Sequence, residues 1–352
     1  MKLRTTLLTL SFLSLSTQAL AEQPYPGYIP PVNPAPGAAV DGEYKIDQDD
    51  KGIFSVVLEN DIFSGQDQNY TNGIRFAYLS PEANAPQWLE TAADWLPLAG
   101  DGNKRYSIAA GQSLFTPDDL TNPNVIPDDR PYAGWLYGSV GALSDTGKTL
   151  DNVMLTVGVV GPAALGEETQ ESIHHILPNN QDPKGWDNQL HNELGVNLDY
   201  ERKWRSMFEF SPFGTGVDIT PHMAASLGNV TTQATAGATL RIGYDLPQDY
   251  GPPRIRPSMP GSDFFIPTKE VGGYLFATVE GRAVARNIFL DGNTFRDSHS
   301  VDKNNFVGSL SAGFPLTYED TRISYTHVFM TEEFKTQDEP ATFGVITVST
   351  RF

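Results

Sequence analysis

The sequence contains no cysteine. A chain without thiols forms no disulfides, thiolate metal sites or cysteine nucleophiles. Cations are also scarce, since 24 lysines and arginines face 43 aspartates and glutamates, which gives a formal net charge of -19. Nucleic acids bind through lysine and arginine, so this acidic balance argues against a nucleic acid partner and is compatible with divalent cations.

Long apolar runs are missing as well. After the amino end no stretch has eighteen consecutive apolar residues, and hydrophobic residues make up only 39% of the chain. A helical membrane protein is therefore excluded. In hydrocarbon every backbone polar group needs an internal partner, which leaves a closed β-barrel as the other spanning architecture.

An export signal is predicted at the amino end. Lys2 and Arg4 form a basic region, residues 7–15 an apolar core, and the segment that ends at Ala21 an A-x-A cleavage site. Cleavage would make Glu22 the first residue of the mature chain and lower the formal charge from -19 to -21, because two cations are removed.

The carboxy end alternates in the way a membrane strand does. Counting back in twos from the terminal Phe352 gives Thr350, Val348 and Ile346. An outward apolar face that ends on an aromatic residue is typical of the last strand of a bacterial outer-membrane barrel. We therefore expect an antiparallel transmembrane β-barrel in the bacterial outer membrane.

Alternation recurs along the chain. In Leu190–Glu201 the residues Leu194, Val196, Leu198 and Tyr200 share one face, and polar residues occupy the other. Further candidates, with the terminal strand, are residues 53–61, 70–80, 104–113, 132–143, 153–159, 202–211, 217–227, 234–245, 271–285, 305–314 and 322–329. With Leu190–Glu201 and the terminal strand these are thirteen segments, which predict a barrel of about twelve strands because single-chain barrels have an even number. Tyr78, Tyr200, Tyr244 and Tyr325 end apolar faces and suit an interfacial girdle.

The segments between strands differ in composition. A tract with six prolines, Gln23–Ala39, favours an extended lead-in. Residues 81–103 and 246–269 are rich in Pro, Gly and Asp and are predicted to be loops. The predicted organisation is a signal peptide at 1–21, a Pro-rich periplasmic lead-in at 22–50 and an outer-membrane barrel at 51–352.

One loop contains a predicted short helix, Gly166–Leu177, which opens with acidic residues that suit a helix amino terminus. Gln170 and His174 are four residues apart and share a face with Leu177. Ile173 and Ile176 lie on the other side and are available for packing. His174 is a candidate general base because an imidazole titrates near neutrality, although a solvated loop histidine is the plainer interpretation.

The densest polar cluster is Glu59-Asn60-Asp61, followed by Tyr70-Thr71-Asn72-Gly73 at the start of the next strand. A hairpin would bring Asn60, Asp61, Thr71 and Asn72 together, and calcium prefers such oxygen ligands. The alternative is that these are ordinary turn residues. No G-x-S-x-G motif occurs, so water is favoured over serine as a nucleophile.

These motifs together resemble one family. The sequence carries Glu59-Asn60-Asp61-x-Phe63, Asp67-x-x-Tyr70-Thr71-Asn72-Gly73-x-Arg75, Asp129-Arg130-Pro131-Tyr132-Ala133-Gly134-Trp135, Gly158-x-x-Gly161-Pro162, Gln170-x-x-x-His174 and Trp186-x-x-Gln189. In this combination the chain resembles the outer-membrane lipid A 3'-O-deacylases. The resemblance implies a twelve-stranded barrel whose active site lies at the outer leaflet, between the wall and a loop helix. It also implies calcium-dependent hydrolysis of the 3'-linked acyl group.

The resemblance also assigns residues. Its essential Asn-Asp pair falls on Asn60 and Asp61, its threonine on Thr71, its catalytic histidine on His174 and its helix glutamine on Gln170. Calcium would be held by Asp61, Asn60 and Thr71 and would stabilise the oxyanion, while His174 would activate water. The implied partners are lipid A within lipopolysaccharide, the surrounding outer-membrane lipids and the barrel assembly machinery during insertion.

Some positions depart from the family pattern. No second acidic residue follows Asp61 directly, so the calcium ligands are expected either to differ from those of the family or to include Glu59 or Asp67. The segment after His174 offers no unambiguous carboxylate to orient the imidazole, and Asp182 is the candidate there. Strict alternation places Asn60 on the apolar face of its strand, which suits a site outside the wall, although a bulge could reverse this.

Three alternatives stay open. Arg75 and Arg130 are candidate partners for a lipid A phosphate, but arginines that balance an acidic lumen are the plainer interpretation. A phospholipase with the same mechanism would hydrolyse glycerophospholipids. The third alternative is not an enzyme: a small porin, which would conduct ions, or a structural barrel.

Overall fold

The fold is that of a computed structural model, which describes residues 49–61, 69–82, 87, 91, 102–176, 183–210, 215–244, 246–251 and 264–352. Within these ranges, none of the helices has the length and apolar character needed to cross a membrane. The predicted signal peptide and nearly all of the Pro-rich lead-in lie outside the described residues, so both remain predictions.

Twelve long antiparallel strands close into one barrel, as the sequence predicted. The strands are β1 Ile53–Asn60, β2 Asn69–Leu79, β3 Asn103–Thr116, β4 Ala133–Asp145, β5 Thr149–Val160, β6 Glu193–Trp204, β7 Phe208–Phe210, β8 Gly216–Gly228, β9 Thr231–Gly243, β10 Gln248–Asp249, β11 Phe265–Ile266, β12 Val271–Asn287, β13 Phe306–Tyr318, β14 Thr321–Met330 and β15 Ala341–Arg351. Consecutive long strands are neighbours, the pairing of β1 with β15 joins the first and last strands, and the pairing of β6 with β8 completes the cylinder. The helices are α1 Gly166–Ile176 and α2 Ile288–Asp291.

One detail of the strand prediction is wrong. Residues 190–201 and 202–211 were separate candidates, but β6 runs across their boundary and β7 continues beside the same partner, β8. The short break between β6 and β7 includes Ser206, which has a left-handed backbone with φ of 47°. Apolar and polar residues alternate through this boundary. The sequence therefore gave no sign that the two segments occupy a single strand position beside β8.

Side chains alternate between the two faces of the wall as expected. On β6, Leu194 and Leu198 are exposed on the outside, while Asn197 is buried on the inside. On β15, Val348 faces outward and the terminal Phe352 is exposed beside Tyr78, with 6.1 Å between ring centroids. The outward face is therefore apolar and suited to lipid, and the inward face is polar.

The barrel end at which β1 begins and β15 ends, here called the terminal end, is filled from within. Asp249 on β10 accepts hydrogen bonds from Arg241 and Tyr274, and Arg322 lies 3.0 Å from its other oxygen. Beside this ion pair, Tyr250, Phe264 and Phe265 join a buried apolar cluster with the strand residues Ile53, Leu79, Leu143 and Leu150. The stretch 246–269, predicted as a loop, thus includes a small two-stranded plug.

The opposite end, here called the distal end, is closed by apolar packing. Phe115 of β3 stacks on Phe289 of α2 with 4.0 Å between ring centroids. Trp135, Leu190 and Val230 belong to the same buried cluster. Asn287 caps α2 by accepting a hydrogen bond from the Phe289 amide. Because described residues fill the interior at both ends, an open porin channel is not supported.

Candidate functional site

Asn60 lies on the outer side of the wall. It ends β1 at the distal end, and its neighbours in alternate positions, Phe54 and Leu58, are exposed to the outside. The β1 register contains no bulge, so the expectation from alternation holds. Unlike those neighbours, Asn60 is only 8% exposed. The amide is therefore an outward-facing polar group that is covered rather than bathed in lipid.

A continuous outward row runs from Asn60 across the next three strands. Asn60 is opposite Asn72 on β2, Asn72 is opposite Leu114 on β3, and Leu114 is opposite Gly134 on β4. Adjacent strands are roughly 4.8 Å apart, so Leu114 lies roughly 10 Å from Asn60 along this row. Asn72 was interpreted as a possible turn residue, but it lies within β2.

Asp61 and Thr71 flank the distal end of the same hairpin. Asp61 follows Asn60 directly and is fully buried. Thr71 is the residue at which the pairing of β2 with β3 shifts register, between Tyr70 and Asn72, and such a bulge re-aims a side chain. The Thr71 side chain lies outside the described residues. The backbone thus brings the predicted calcium ligands to one end of one hairpin.

The chain crosses to the outside of the wall after β5. Gly161 has a left-handed φ of 99°, which favours glycine, and its amide donates to the carbonyl of Gly134 at 3.0 Å. A short 3-10 helix, Pro162–Ala164, follows. Gln112, on the outward face of β3, donates from Nε2 to the Ala164 carbonyl at 2.6 Å. These contacts anchor the start of α1 on the outer wall.

Small residues allow α1 to approach the strands closely. A Cβ added to Gly134 would lie 3.4 Å from the Gly166 Cα, and one added to Gly166 would lie 2.6 Å from the Trp186 ring. Trp186 belongs to a buried cluster with Leu114, Leu120 and Tyr132 outside the barrel. The helix therefore begins over the same outward row that carries Asn60.

Gln170 is buried in α1 and held by Trp186. The indole Nε1 donates to Gln170 Oε1 at 2.7 Å. Gln170 Nε2 is buried and has no hydrogen-bond partner within the described part of the chain. The indole fixes which end of the amide accepts, so the amide nitrogen is left to donate. The exposed side of α1 carries Glu167, Glu168 and Glu171, whereas the Gln170 side faces the wall.

His174 occupies the next turn of α1 after Gln170, as predicted, and the helix ends at Ile176. The side chains of His174, Ile173 and Ile176 lie outside the described residues, as does Leu177. The structure therefore tests only the helical spacing of His174, and its catalytic role remains a proposal.

The other residues that the sequence offered for the site lie on the inner face, in a distal loop or outside the described residues. Arg75 lies on the inner face of β2, and Arg130 binds Glu333 with 2.8 Å between Nη2 and Oε2, so both agree with the plainer interpretation of balancing internal charge. Glu59 is buried on the inner face, opposite to Asn60. Asp67 and Asp182 lie outside the described residues.

Oxygen donors at the hairpin end suit a hard cation. Asp61 supplies a buried carboxylate and Asn60 an amide oxygen, which are ligand types that calcium prefers. No group of three or more His, Cys, Asp or Glu that could hold a metal occurs among the residues described. Among the described residues, the oxygen donors at this place are therefore the Asp61 carboxylate and the neutral Asn60 amide.

Two carboxylates in the distal loops have pKa values shifted in opposite directions. Burial, and then the neighbouring Asp129, raise the pKa of Asp118 to about 6. Burial alone would raise the pKa of Glu333, but Arg130 and Arg282 outweigh it and hold that pKa below its usual range. These carboxylates serve the loop structure, because Asp129 accepts the Asp118 amide at 2.8 Å.

Sequence reasoning gave Trp186 and Gln112 no function. Trp186 was noted only as part of a motif, and its contact with Gln170 joins residues 16 apart through a loop. Gln112 had a detectable signal, since it is a polar residue on the outward face of β3, the face that also carries exposed Ile108.

Several known proteins are similar to this chain in sequence or in fold. A family model described as outer membrane protein LpxR matches residues 7–352. Among solved structures, LpxR from Salmonella typhimurium matches with a TM-score of 0.68 at 20% identity, covering 85% of this chain and all of that one. The beta domain of the Bordetella autotransporter BrkA matches with a TM-score of 0.41 at 9% identity, covering 86% of this chain and 97% of that domain. No curated protein matches the sequence.

Proposed function

The chain belongs to the LpxR family of outer-membrane proteins, and we propose that it hydrolyses the 3'-linked acyloxyacyl ester of lipid A in the outer leaflet with the help of calcium. Family membership supports an outer-membrane lipid A deacylase. The calcium dependence, the position of the ester and the roles of individual residues are the proposed part.

The outward row that carries Asn60 and meets α1 is the observation that supports this function most strongly. A lipid can reach this row without entering the barrel, because Leu58 and Phe76 extend the same face as exposed apolar surface. Acyl chains would lie against these residues, and the ester would lie at the distal end. A channel function would instead need an open interior, whereas the described residues fill both ends.

The dimensions of α1 fit a site between the helix and the hairpin. A rise of about 1.5 Å per residue places His174 roughly 12 Å along the axis from Gly166. The distance along the outward row from Leu114, where the helix begins, to Asn60 is roughly 10 Å. The helix is thus long enough to bring His174 over the β1–β2 hairpin.

Each residue then has a chemical task. His174 takes a proton from the attacking water and returns it to the departing sugar alkoxide, so that an ester and water become a carboxylic acid and an alcohol. Gln170 Nε2 donates to the ester carbonyl oxygen, where negative charge develops. Asn60 orients the ester or supplies a second amide donor. Trp186 acts only through Gln170.

Asp61, Asn60 and Thr71 are the residues that would hold calcium. Bound there, the ion supplies positive charge beside the ester carbonyl. This role rests on the oxygen donors described above and on the family resemblance.

The test is mass spectrometry of lipid A from cells that express the chain, with and without a calcium chelator. We expect loss of the 3' acyloxyacyl mass with the intact chain, and retention of that mass with His174→Ala, with Asp61→Ala or after chelation. His175→Ala is the matched control for the helix, and Asp119→Ala, an exposed carboxylate in a distal loop, controls for lost charge. Unchanged lipid A from a folded, inserted wild-type barrel would reject the proposal.

The phospholipase alternative is separated in the same experiment. Purified protein is offered glycerophospholipids and lipid A in parallel detergent micelles. Release of fatty acid from lipid A alone supports the proposed substrate, whereas release from glycerophospholipids at an equal rate would assign the chain to phospholipid hydrolysis.

A further inference from the structure

An ionisable side chain interrupts the apolar outer face of β14. Ile323, Tyr325, His327 and Phe329 alternate on the outside, while Thr326 and Val328 are buried on the inside. His327 therefore has apolar or aromatic side chains on both sides along its own strand. Ionisable groups in contact with lipid are costly, and their presence points to a functional contact.

His327 lies in the same outward row as Asn60, on the side away from α1. His327 is opposite Gly344 on β15, and Gly344 is opposite Asn60 on β1. Two strand spacings place the two Cα atoms roughly 10 Å apart. Because the intervening residue is a glycine, no side chain of the row stands between the imidazole and the Asn60 amide.

The imidazole is held in place by its neighbours. Its Nδ1 lies 3.2 Å from the Tyr325 hydroxyl, and its ring centroid lies 4.4 Å from that of Phe329. On the β13 side its partner is Ala312, which is small and exposed. The hydrogen bond uses Nδ1, so Nε2 is the nitrogen that remains for a ligand on the lipid side.

We propose that His327 binds a phosphate oxygen of the lipid substrate while the ester lies at Asn60. This inference rests on the proposed function, because it places the substrate on the outward row. Lipid A carries a phosphate on the sugar that bears the 3' ester, so a second polar contact about two strands away has a fitting partner. Arg75 and Arg130 do not fill this place, since the first faces inward and the second binds Glu333.

The experiment compares His327→Ala with the wild type on lipid A and on lipid A lacking the phosphate next to the ester. For the phosphorylated substrate we expect KM to rise about tenfold, as for loss of a hydrogen bond to a charged group, with little change in kcat. For the dephosphorylated substrate the two proteins should be equal. His327→Gln keeps an N–H donor and should recover part of the loss.

Controls separate binding from folding. Ile323→Ala removes an outward side chain from the same strand and should leave both substrates unaffected. Heat-modifiable migration on gels checks that each barrel is closed. An equal loss on both substrates, or a loss that appears in kcat alone, would overturn the phosphate contact.

A binding measurement distinguishes failure of this inference from failure of the proposed function. Binding of lipid A to detergent-solubilised wild type and His327→Ala requires no turnover. If wild type binds the phosphorylated form more tightly and His327→Ala does not, the contact stands even where no hydrolysis is seen. Absence of any phosphate preference in wild type overturns it. Equal binding of phosphatidylglycerol would also overturn it, because the site is assigned to a glycolipid.

Discussion

Replacing Trp186 with phenylalanine tests whether Trp186 supports the reaction by holding the Gln170 amide of α1 in one orientation. The indole Nε1 donates to Gln170 Oε1 at 2.7 Å, and both residues are buried. Phenylalanine keeps an aromatic ring beside Tyr132, but it has no N–H to donate and lacks the outer edge of the indole that approaches Gly166. The change therefore removes one hydrogen bond and a part of the apolar contact.

The size of the effect follows from that hydrogen bond. A buried carbonyl that loses its donor costs about 1–3 kcal/mol, and a typical hydrogen bond contributes about 1 kcal/mol net. If about 1–2 kcal/mol of preference for the present amide orientation is lost, then kcat/KM should fall roughly 5- to 30-fold. Removing the amide with Gln170→Ala should cost more, on the order of 100-fold, as for loss of an oxyanion donor.

The assay is release of the 3' acyl group from purified lipid A in detergent micelles with calcium. Tyr132→Phe is the matched control, because it removes a hydroxyl from the same cluster, 3.3 Å from the Leu120 carbonyl, without touching Gln170. The decisive measurement is a double-mutant cycle that combines Trp186→Phe with Gln170→Ala. In the Gln170→Ala background, Trp186→Phe should have almost no further effect.

Two results would refute this reasoning. Additive losses in the double mutant would mean that Trp186 acts independently of Gln170, as general support for the loop. An unchanged rate in Trp186→Phe alone would mean that the amide orientation does not matter for the reaction. Thermal unfolding of each variant separates these outcomes from a loss of folded protein.

Three further predictions concern the wall, the distal loop and the plug. Gly134→Val should abolish deacylation while the barrel still folds and migrates as a closed barrel on gels, because a Cβ there would lie 3.0 Å from the Ala164 Cβ at the start of α1. Burial and Asp129 raise the pKa of Asp118 from 3.8 to about 6. Between pH 3.8 and pH 6 the folded loop therefore binds a proton that the unfolded loop does not, which stabilises the folded loop. Loop 117–132 should therefore resist proteolysis better at pH 5 than at pH 7.5, and Asp118→Asn should remove the difference. Asp249→Ala leaves two buried arginines without their shared carboxylate, which should cost about 3–5 kcal/mol and give measurable conductance in planar bilayers, whereas we expect none from the wild type.

The barrel itself was predictable from local pattern. Alternation with a period of two needs only a few residues to be visible, and the membrane imposes it on every strand. The same regularity explains the error in strand assignment over residues 190–211. A strand that continues past a short break keeps its alternation, so the pairing of β6 and β7 with β8 could not be seen in the sequence.

The plug was not predictable because its stability is non-local. Asp249 is surrounded by Arg241, Tyr274 and Arg322, which come from three different strands. In the sequence, Arg241 and Tyr274 are separated by a segment rich in proline and glycine, and Arg322 follows Tyr274 only after a further strand and loop. An isolated aspartate in such a loop has the composition of a turn, and only closure of the barrel brings the arginines around it.

The candidate site was predictable in part. Alternation alone placed Asn60 on the outer face, and the register of β1 keeps it there. The location of α1 could not follow from periodicity, because a helix with polar residues on most sides gives no preference for lumen, solvent or wall. Its location is decided instead by three small contacts with the wall, at Gly134, at Gly166 and at the Gln112 side chain. Each of these residues is unremarkable within its own segment, and each has a function only once the helix is known to lie against the strands. Sequence pattern therefore predicts on which side of the wall Asn60 lies, and packing determines what covers it.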